Sequence, residues 1–343
     1  MTLQYILAFF FSLAVSAILT WPIIHLARKI ELVDAPNDER KLHRQPTPLL
    51  GGLAIFLTFF SLMYWFRDTM LSGNLEPYHF FGFFVGGLFL MIGGFLDDKY
   101  NLKPAQQLMF PVLAIAAVIA GGVHIEKITN PAGGYIYLGA WSGILIAFWL
   151  MGMMYTTKLL DGLDGLVTGM VGIGGLIIFL FTSTTRYFQP DIALASLILS
   201  GACAGFLIFN WHPAKIFLGE GGSLLLGYIL GVLAIISGGK IAIALLIMGV
   251  PILDVVWTIV RRLAAGKNPF RFADRKHLHH RLFDLGLGHR KTVAIFYAFA
   301  LFFGLSGLFL QSLGKIYALA GLFAVMLVVI LGFSYFDRRR AVK

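Results

Sequence analysis

The chain has 343 residues, of which 58% are hydrophobic and only 13% charged, and its mean hydropathy is +0.83. A soluble globular chain carries about 25% charged residues, so this one has too few to coat a water-facing surface, and its solvent is lipid. The net charge of +10 does not indicate a nucleic-acid binder. The basic residues fall between apolar stretches, where they report orientation and contact with anionic lipid or substrate.

A bilayer core of about 30 Å needs roughly 20 apolar residues per helix. Eleven stretches approach that length, near 4–27, 49–66, 80–96, 105–122, 141–157, 166–183, 191–209, 222–237, 240–260, 292–311 and 316–336. They run evenly along the chain and predict an all-α polytopic integral membrane protein forming one domain over 1–343. The first stretch lacks a basic n-region and outruns a signal h-region, which makes it a span and not a cleaved leader. Around 125–141, alternation about Gly133 and Gly134 predicts a small β-hairpin. The single cysteine, Cys203, lies in an apolar stretch and reads as a buried, inert thiol. No fixed-period repeat is present.

Counting Lys and Arg in alternate loops places 22 of the 27 in one set and five in the other. The excess belongs on the cytoplasmic side. It puts the N-terminus outside and the C-terminus in the cytoplasm. The dense polar clusters share that basic side. They are Arg40, Lys41, His43 and Arg44; Asp97 and Asp98, with Lys103 following; Lys158, Asp161 and Asp164; Asn210 to Gly222, with Lys215 and Glu220; and Arg275 to Arg281. Mixed acids and bases on one face suit a phosphorylated, water-soluble substrate at the membrane surface.

Each cluster also has a plainer reading. Adjacent acids at a helix end are commonly just solvated, and a basic run is commonly a topology signal. Asp97 and Asp98, however, end a nearly charge-free helix, where acids are costly unless used. Asp161 and Asp164, three apart, would share a helical face, and Gly162 and Gly165 would admit a ligand close to the backbone. His277, His279 and His280 suggest zinc, but neighbouring His279 and His280 should point apart. With Arg275, Lys276 and Arg281 around them they read better as phosphate donors. Asp254, inside the ninth span near its cytoplasmic end, is read as a hydrogen-bond partner for a neighbouring helix, with a functional role as the alternative.

Taken together, RKLHRQPTPLLGG, GGFLDDKYNLKP, LLDGLDGL, FNWHPAKIFLGEGGS and HLHHRLFDLGLGHR resemble, in order, the polyprenyl-phosphate N-acetylaminosugar-1-phosphate transferases. The last motif is closer to the N-acetylglucosamine branch than to the muramoyl-pentapeptide branch. The resemblance implies attack of a polyprenyl (undecaprenyl) phosphate oxygen on the β-phosphorus of a UDP-N-acetylhexosamine, with release of UMP, at the start of lipopolysaccharide, teichoic acid or other cell-wall synthesis. It implies that Asp97 and Asp98 handle the lipid phosphate and that Asp161, Asp164 and Asn210 lie on the nucleotide side. It places His277, His279, His280 and Arg281 at the sugar and diphosphate, with Lys41, His43, Lys103, Lys215 and Arg275 as further substrate contacts. Magnesium, a homodimer and a place in the bacterial inner membrane, with the active site facing the cytoplasm, are also implied.

This sequence departs from the family pattern twice. Lys158 stands where the family has Asn, and Glu220 where it has Asp; those two positions are the family's magnesium ligands. A lysine has no acceptor to offer a metal. The paired change predicts that Lys158, salt-bridged to Glu220, replaces the ion's charge. Two alternatives stand beside it: Glu220 still binds magnesium while Lys158 contacts a phosphate, or the chain is a non-catalytic lipid- or nucleotide-sugar-binding relative. A membrane transporter is disfavoured because the charges sit at one interface and not at midplane.

Overall fold

A computed structural model describes residues 2–36, 45–70, 73, 75–130, 134–184, 187–238, 241–266 and 277–341. The helices are α1 (Thr2–Lys29), α2 (Gly51–Trp65), α3 (Arg67–Met70), α4 (Pro77–Tyr100), α5 (Pro104–Ala120), α6 (Trp141–Leu160) and α7 (Leu166–Thr182). They continue with α8 (Pro190–Asn210), α9 (Gly219–Ile236), α10 (Ile241–Ala264), the short α11 (Leu278–Leu282), α12 (Gly288–Phe309) and α13 (Ser312–Ala341). Eight helices are long and apolar enough to cross a membrane. The apolar helices α2, α5 and α7 are shorter, at 15, 17 and 17 residues. These eleven helices coincide with the eleven predicted stretches, and the chain is an all-α polytopic membrane protein.

Local chemistry sets several boundaries. Pro77, Pro104 and Pro190 open α4, α5 and α8, where the missing N–H costs nothing and φ is already helical. The predicted hairpin is present as β3 (Lys127–Thr129) paired antiparallel with β4 (Tyr135–Tyr137), with Ile128 opposite Ile136. A second pair, β1 (Val33–Asp34) with β2 (Thr47–Pro48), has no signal in the sequence. Its two-residue strands are too short to show alternation.

The centre of the bundle is α9, of whose span 89% is buried, against 11% for the peripheral α13. Helices α2, α4 and α6 pack around it, and glycines permit the closest approaches. A Cβ on Gly94 of α4 would lie 2.0 Å from the Gly221 nitrogen, and one on Gly52 of α2 would lie 2.2 Å from the Gly222 Cα. Both contacts press on the first turn of α9, which carries Glu220. Gly94→Ala sets a side chain against backbone that cannot rotate away. It is expected to cost about 1–3 kcal/mol of stability and to part Asp98 from Glu220, read as a lower thermal midpoint together with lost turnover.

Cys203 is buried at 1% exposure, as expected. Helices α2, α7, α9 and α12 begin, and α4, α6 and α8 end, at the same end of the bundle. All the described polar motifs therefore meet there.

Candidate active site

A cavity of about 1380 Å³ opens at that end. Asp97, Asp98, Lys158, Asp161, Asp164, Asn210, Glu220 and His280 all line it, drawn from segments up to 183 positions apart.

Asp97 and Asp98 are the last acids of α4, and they do different things. Asp97 is buried; its Oδ1 accepts the Leu102 N–H at 2.9 Å and the Gln107 Nε2 at 3.0 Å. Asp98 reaches across to α9, where both its oxygens take the Glu220 N–H, at 3.3 and 3.1 Å. A helix start leaves its first N–H groups unpaired and carries positive partial charge, so Asp98 caps α9 from another helix. Gly219 makes room: it has φ +73°, and a Cβ there would fall 2.7 Å from Asp98 Oδ2.

Lys158, in the last turn of α6, places Nζ 2.7 Å from Glu220 Oε2, with Gln107 Oε1 at 3.4 Å. The ion pair expected from the two departures is therefore formed. It also bears on magnesium, which takes oxygen ligands at about 2.0–2.1 Å in a demanding octahedral shell. An ion held by Glu220 and presented to position 158 would lie near the ammonium. At about 4 Å and an effective dielectric of 20, repulsion between charges of two and one is roughly 8 kcal/mol. The donors at these two positions do not fit the ion.

Asp161 and Asp164 do not share a helical face. Residues 161–165 form a turn between α6 and α7, and Gly165 (φ +75°) precedes α7. Glycines at both ends of this short segment break the helix that a three-residue spacing presumes. Both acids still line the cavity. Asp164 Oδ2 accepts from His212 Nδ1 at 2.7 Å and from the Ala214 N–H at 3.1 Å, while its own N–H donates to His289 Nε2 at 2.9 Å. Asp161 opens on the cavity, with protein close about it. Desolvation, then the carboxylates of Glu220 and Asp164, push its carboxyl up to about 8, although cavity water screens part of that effect.

The sign of this shift can be tested. An acid whose folded pKa lies above its unfolded value near 4 keeps its stabilising effect below pH 4. It loses that effect as pH rises towards 8, because the unfolded chain releases the proton first. Asp161→Asn is therefore expected to raise the thermal midpoint at pH 8, the gain fading as pH falls towards 4. A midpoint difference independent of pH would show that the Asp161 carboxyl is not shifted upward.

Asn210 is buried and braces the same turn. Its Oδ1 accepts from the Gly165 N–H and the Thr168 hydroxyl, and its Nδ2 donates to the Ile216 carbonyl. The histidines divide. His277 turns away from the cavity and donates from Nδ1 to Asp254 Oδ2 at 2.8 Å, while the Leu278 N–H reaches Asp254 Oδ1. Asp254 is thus the hydrogen-bond partner it was expected to be, and it anchors α11. His279 and His280 do not point apart: their ring centroids are 4.2 Å apart, because both sit on a short helix that folds against the 161–165 turn. Gly162 lines the cavity, and a Cβ there would meet His279 Nε2 at 2.5 Å, so the glycine lets these rings lie against the turn. His280 alone of the three lines the cavity.

Arg281 lies over the Phe333 ring, and neither it, Lys103 nor Lys215 lines the cavity. Lys103 and Lys215 are exposed. Each follows its motif acid or Asn by about five residues, far enough for the chain to turn away. Lys41, His43 and Arg275 lie outside the described residues.

Among the cavity residues not singled out from the sequence are Gln107, His212 and His289. The two histidines stand inside motifs already quoted, FNWHPAK and GLGHR, while Gln107 has no local signal. Among the described residues, Asp164, His212 and His289 alone have the geometry of a potential metal group. The Asp164 N–H already occupies the His289 Nε2 lone pair, so this trio reads as a brace between α12 and the turn.

The profile of glycosyl transferase family 4 matches residues 80–238. Over 317 residues the chain is 32% identical to a probable undecaprenyl-phosphate N-acetylglucosaminyl 1-phosphate transferase of Bacillus subtilis, covering 90% of this chain and 86% of that protein. The chain belongs to this family of polyprenyl-phosphate aminosugar-1-phosphate transferases. It is 32% identical over 308 residues to a decaprenyl-phosphate N-acetylglucosaminephosphotransferase of Mycobacterium tuberculosis, covering 81% and 75% of the two chains. It is 33% identical over 296 residues to an undecaprenyl-phosphate alpha-N-acetylglucosaminyl 1-phosphate transferase of Thermotoga maritima, covering 86% and 87%. The enzyme class of this family member is glycosyl-1-phosphate transferase, and its intact acids fit that chemistry better than the transporter reading.

Proposed function

We propose that the cavity transfers N-acetylglucosamine-1-phosphate from UDP-N-acetylglucosamine to undecaprenyl phosphate, on the cytoplasmic side of the inner membrane and in a homodimer. The observation that carries this reading is the convergence of Asp97, Asp98, Lys158, Asp161 and Glu220 on one cavity at the end of an apolar bundle. A lipid-borne phosphate and a soluble nucleotide can meet only at such an interface. The sugar named for all three relatives supports the donor.

An oxygen of the lipid phosphate forms a bond to the β-phosphorus, and the bond from that phosphorus to the bridging oxygen breaks. UMP leaves with the electron pair. A phosphate monoester with a second pKa near 6 is largely ionised at neutral pH, so deprotonation is a small part of the task. Positioning and offsetting of charge dominate phosphoryl transfer. In this reading Asp98 orients the lipid phosphate, with Asp97 held beside it, and Lys158 faces the diphosphate. Asp161 and Asp164 lie on the nucleotide side, and His280 reaches the sugar phosphate. No step is routed through magnesium.

The test is UMP release by purified protein given UDP-N-acetylglucosamine and undecaprenyl phosphate. Turnover with this pair, and none without the lipid, is expected. Nucleotide-sugar binding without UMP release from any UDP-N-acetylhexosamine would favour the non-catalytic relative.

A further inference from the structure

The cavity has to accept two phosphorylated molecules, yet its described lining carries six carboxylates and, as the sole Lys or Arg, Lys158. That ammonium is fixed on two sides. Glu220 Oε2 lies at 2.7 Å and Gln107 Oε1 at 3.4 Å. Gln107 is fixed in turn, its Nε2 donating to Asp97 Oδ1 and to the Leu102 carbonyl, each at 3.0 Å. Flipping the amide would set its oxygen against a carboxylate and its hydrogens against an ammonium, so its orientation is determined by its neighbours. Glu220 is tied through its own N–H to Asp98. A continuous chain therefore runs Asp97–Gln107–Lys158–Glu220–Asp98 and joins the two acids of α4 through one cation.

We infer that this chain is a built-in cation site, in which Lys158, clamped by Gln107 and Glu220, offsets the charge of the nucleotide diphosphate, so that the protein binds its nucleotide sugar without a divalent ion. The inference rests on the transferase reading. A metal ion would bring two charges to the asparagine and aspartate of the family pattern, a sum of one; the Lys158–Glu220 pair sums to zero. The site therefore carries one positive charge fewer than the metal-bound pattern. Gln107 acts as a positioning residue: without it, Lys158 could leave Glu220 for any of the other carboxylates.

The experiment is calorimetric titration of the full chain in detergent with UDP-N-acetylglucosamine, once in EDTA and once in magnesium. The two Kd values are expected to agree within about twofold, and binding weakened about tenfold or more by EDTA would overturn the inference. Lys158→Asn combined with Glu220→Asp should convert the site, tightening binding about tenfold when magnesium replaces EDTA; a folded double variant indifferent to the metal would count against it. Gln107→Leu leaves the ammonium but frees it. It is expected to raise KM for the nucleotide sugar by about tenfold in EDTA while kcat falls less, and an unchanged KM in the folded variant would remove the positioning role. Metal-independent binding without UMP release would retire the transferase reading and leave the cation site standing.

Discussion

Replacing Lys158 by methionine is expected to lower kcat/KM for UMP release by about a thousandfold, roughly 4 kcal/mol of transition-state stabilisation. The substitution keeps most of the stem, so packing against α9 is largely retained and the change is chiefly one of charge. Two losses add together. The diphosphate loses the only Lys or Arg in the described lining of the cavity, in a reaction that offers little else for the protein to stabilise. Glu220 also loses its counter-ion while Asp98 and Asp161 remain close to it. Removing one partner of a partly buried pair leaves the other charge unpaired, which costs more than the pair itself contributes. Steady-state UMP release, with thermal midpoints to confirm folding, checks the result. A loss of less than tenfold would mean that the charge facing the diphosphate comes from elsewhere.

Asp98→Asn is the second large effect: turnover is expected to fall by about 10²–10⁴-fold while the thermal midpoint holds or rises. The amide oxygen still accepts the Glu220 N–H, so the cap on α9 survives. What disappears is the carboxyl's ability to ionise beside Glu220 and Asp97, and a permanently neutral amide avoids that repulsion in the empty enzyme. A group kept at an electrostatic cost and required for turnover belongs to the reaction. A parallel fall in activity and midpoint would instead make Asp98 a structural cap alone. The contrast with Asp97 is instructive. Its Oδ1 serves the turn after α4 and Gln107, so an Asp97 substitution mixes folding with chemistry and is the poorer probe.

The site was legible in the sequence to the extent that its residues stand in runs. Both acids of GGFLDDKYNLKP, both of LLDGLDGL, and Lys158 and Glu220 all reach the cavity, and the ion pair between the last two followed from their charges. The basic residues were less legible. Lys103 and Lys215 flank their motifs yet are exposed away from the cavity, because both stand in the loops after α4 and α8, where no helical register carries the motif's direction onward. His277 and Arg281 belong to the same short run as His280, but five residues of helix distribute their side chains in different directions. One meets Asp254, another lies over Phe333, and only His280 opens on the cavity.

By itself the sequence determined the solvent, the number of apolar helices, the hairpin and the motifs that mark the family. These depend on composition, on stretch length against bilayer thickness, and on residues close together in the chain. Tertiary structure alone decided which polar side chains share a volume. Gln107 joins Asp97 to Lys158, His289 accepts the N–H of Asp164, and Asp98 caps a helix that starts 121 residues later. The physical reason is that these contacts depend on how closely the helices approach. That distance is set by glycine pairs such as Gly94 with Gly221 and Gly52 with Gly222, and neither member of a pair marks the other along the chain.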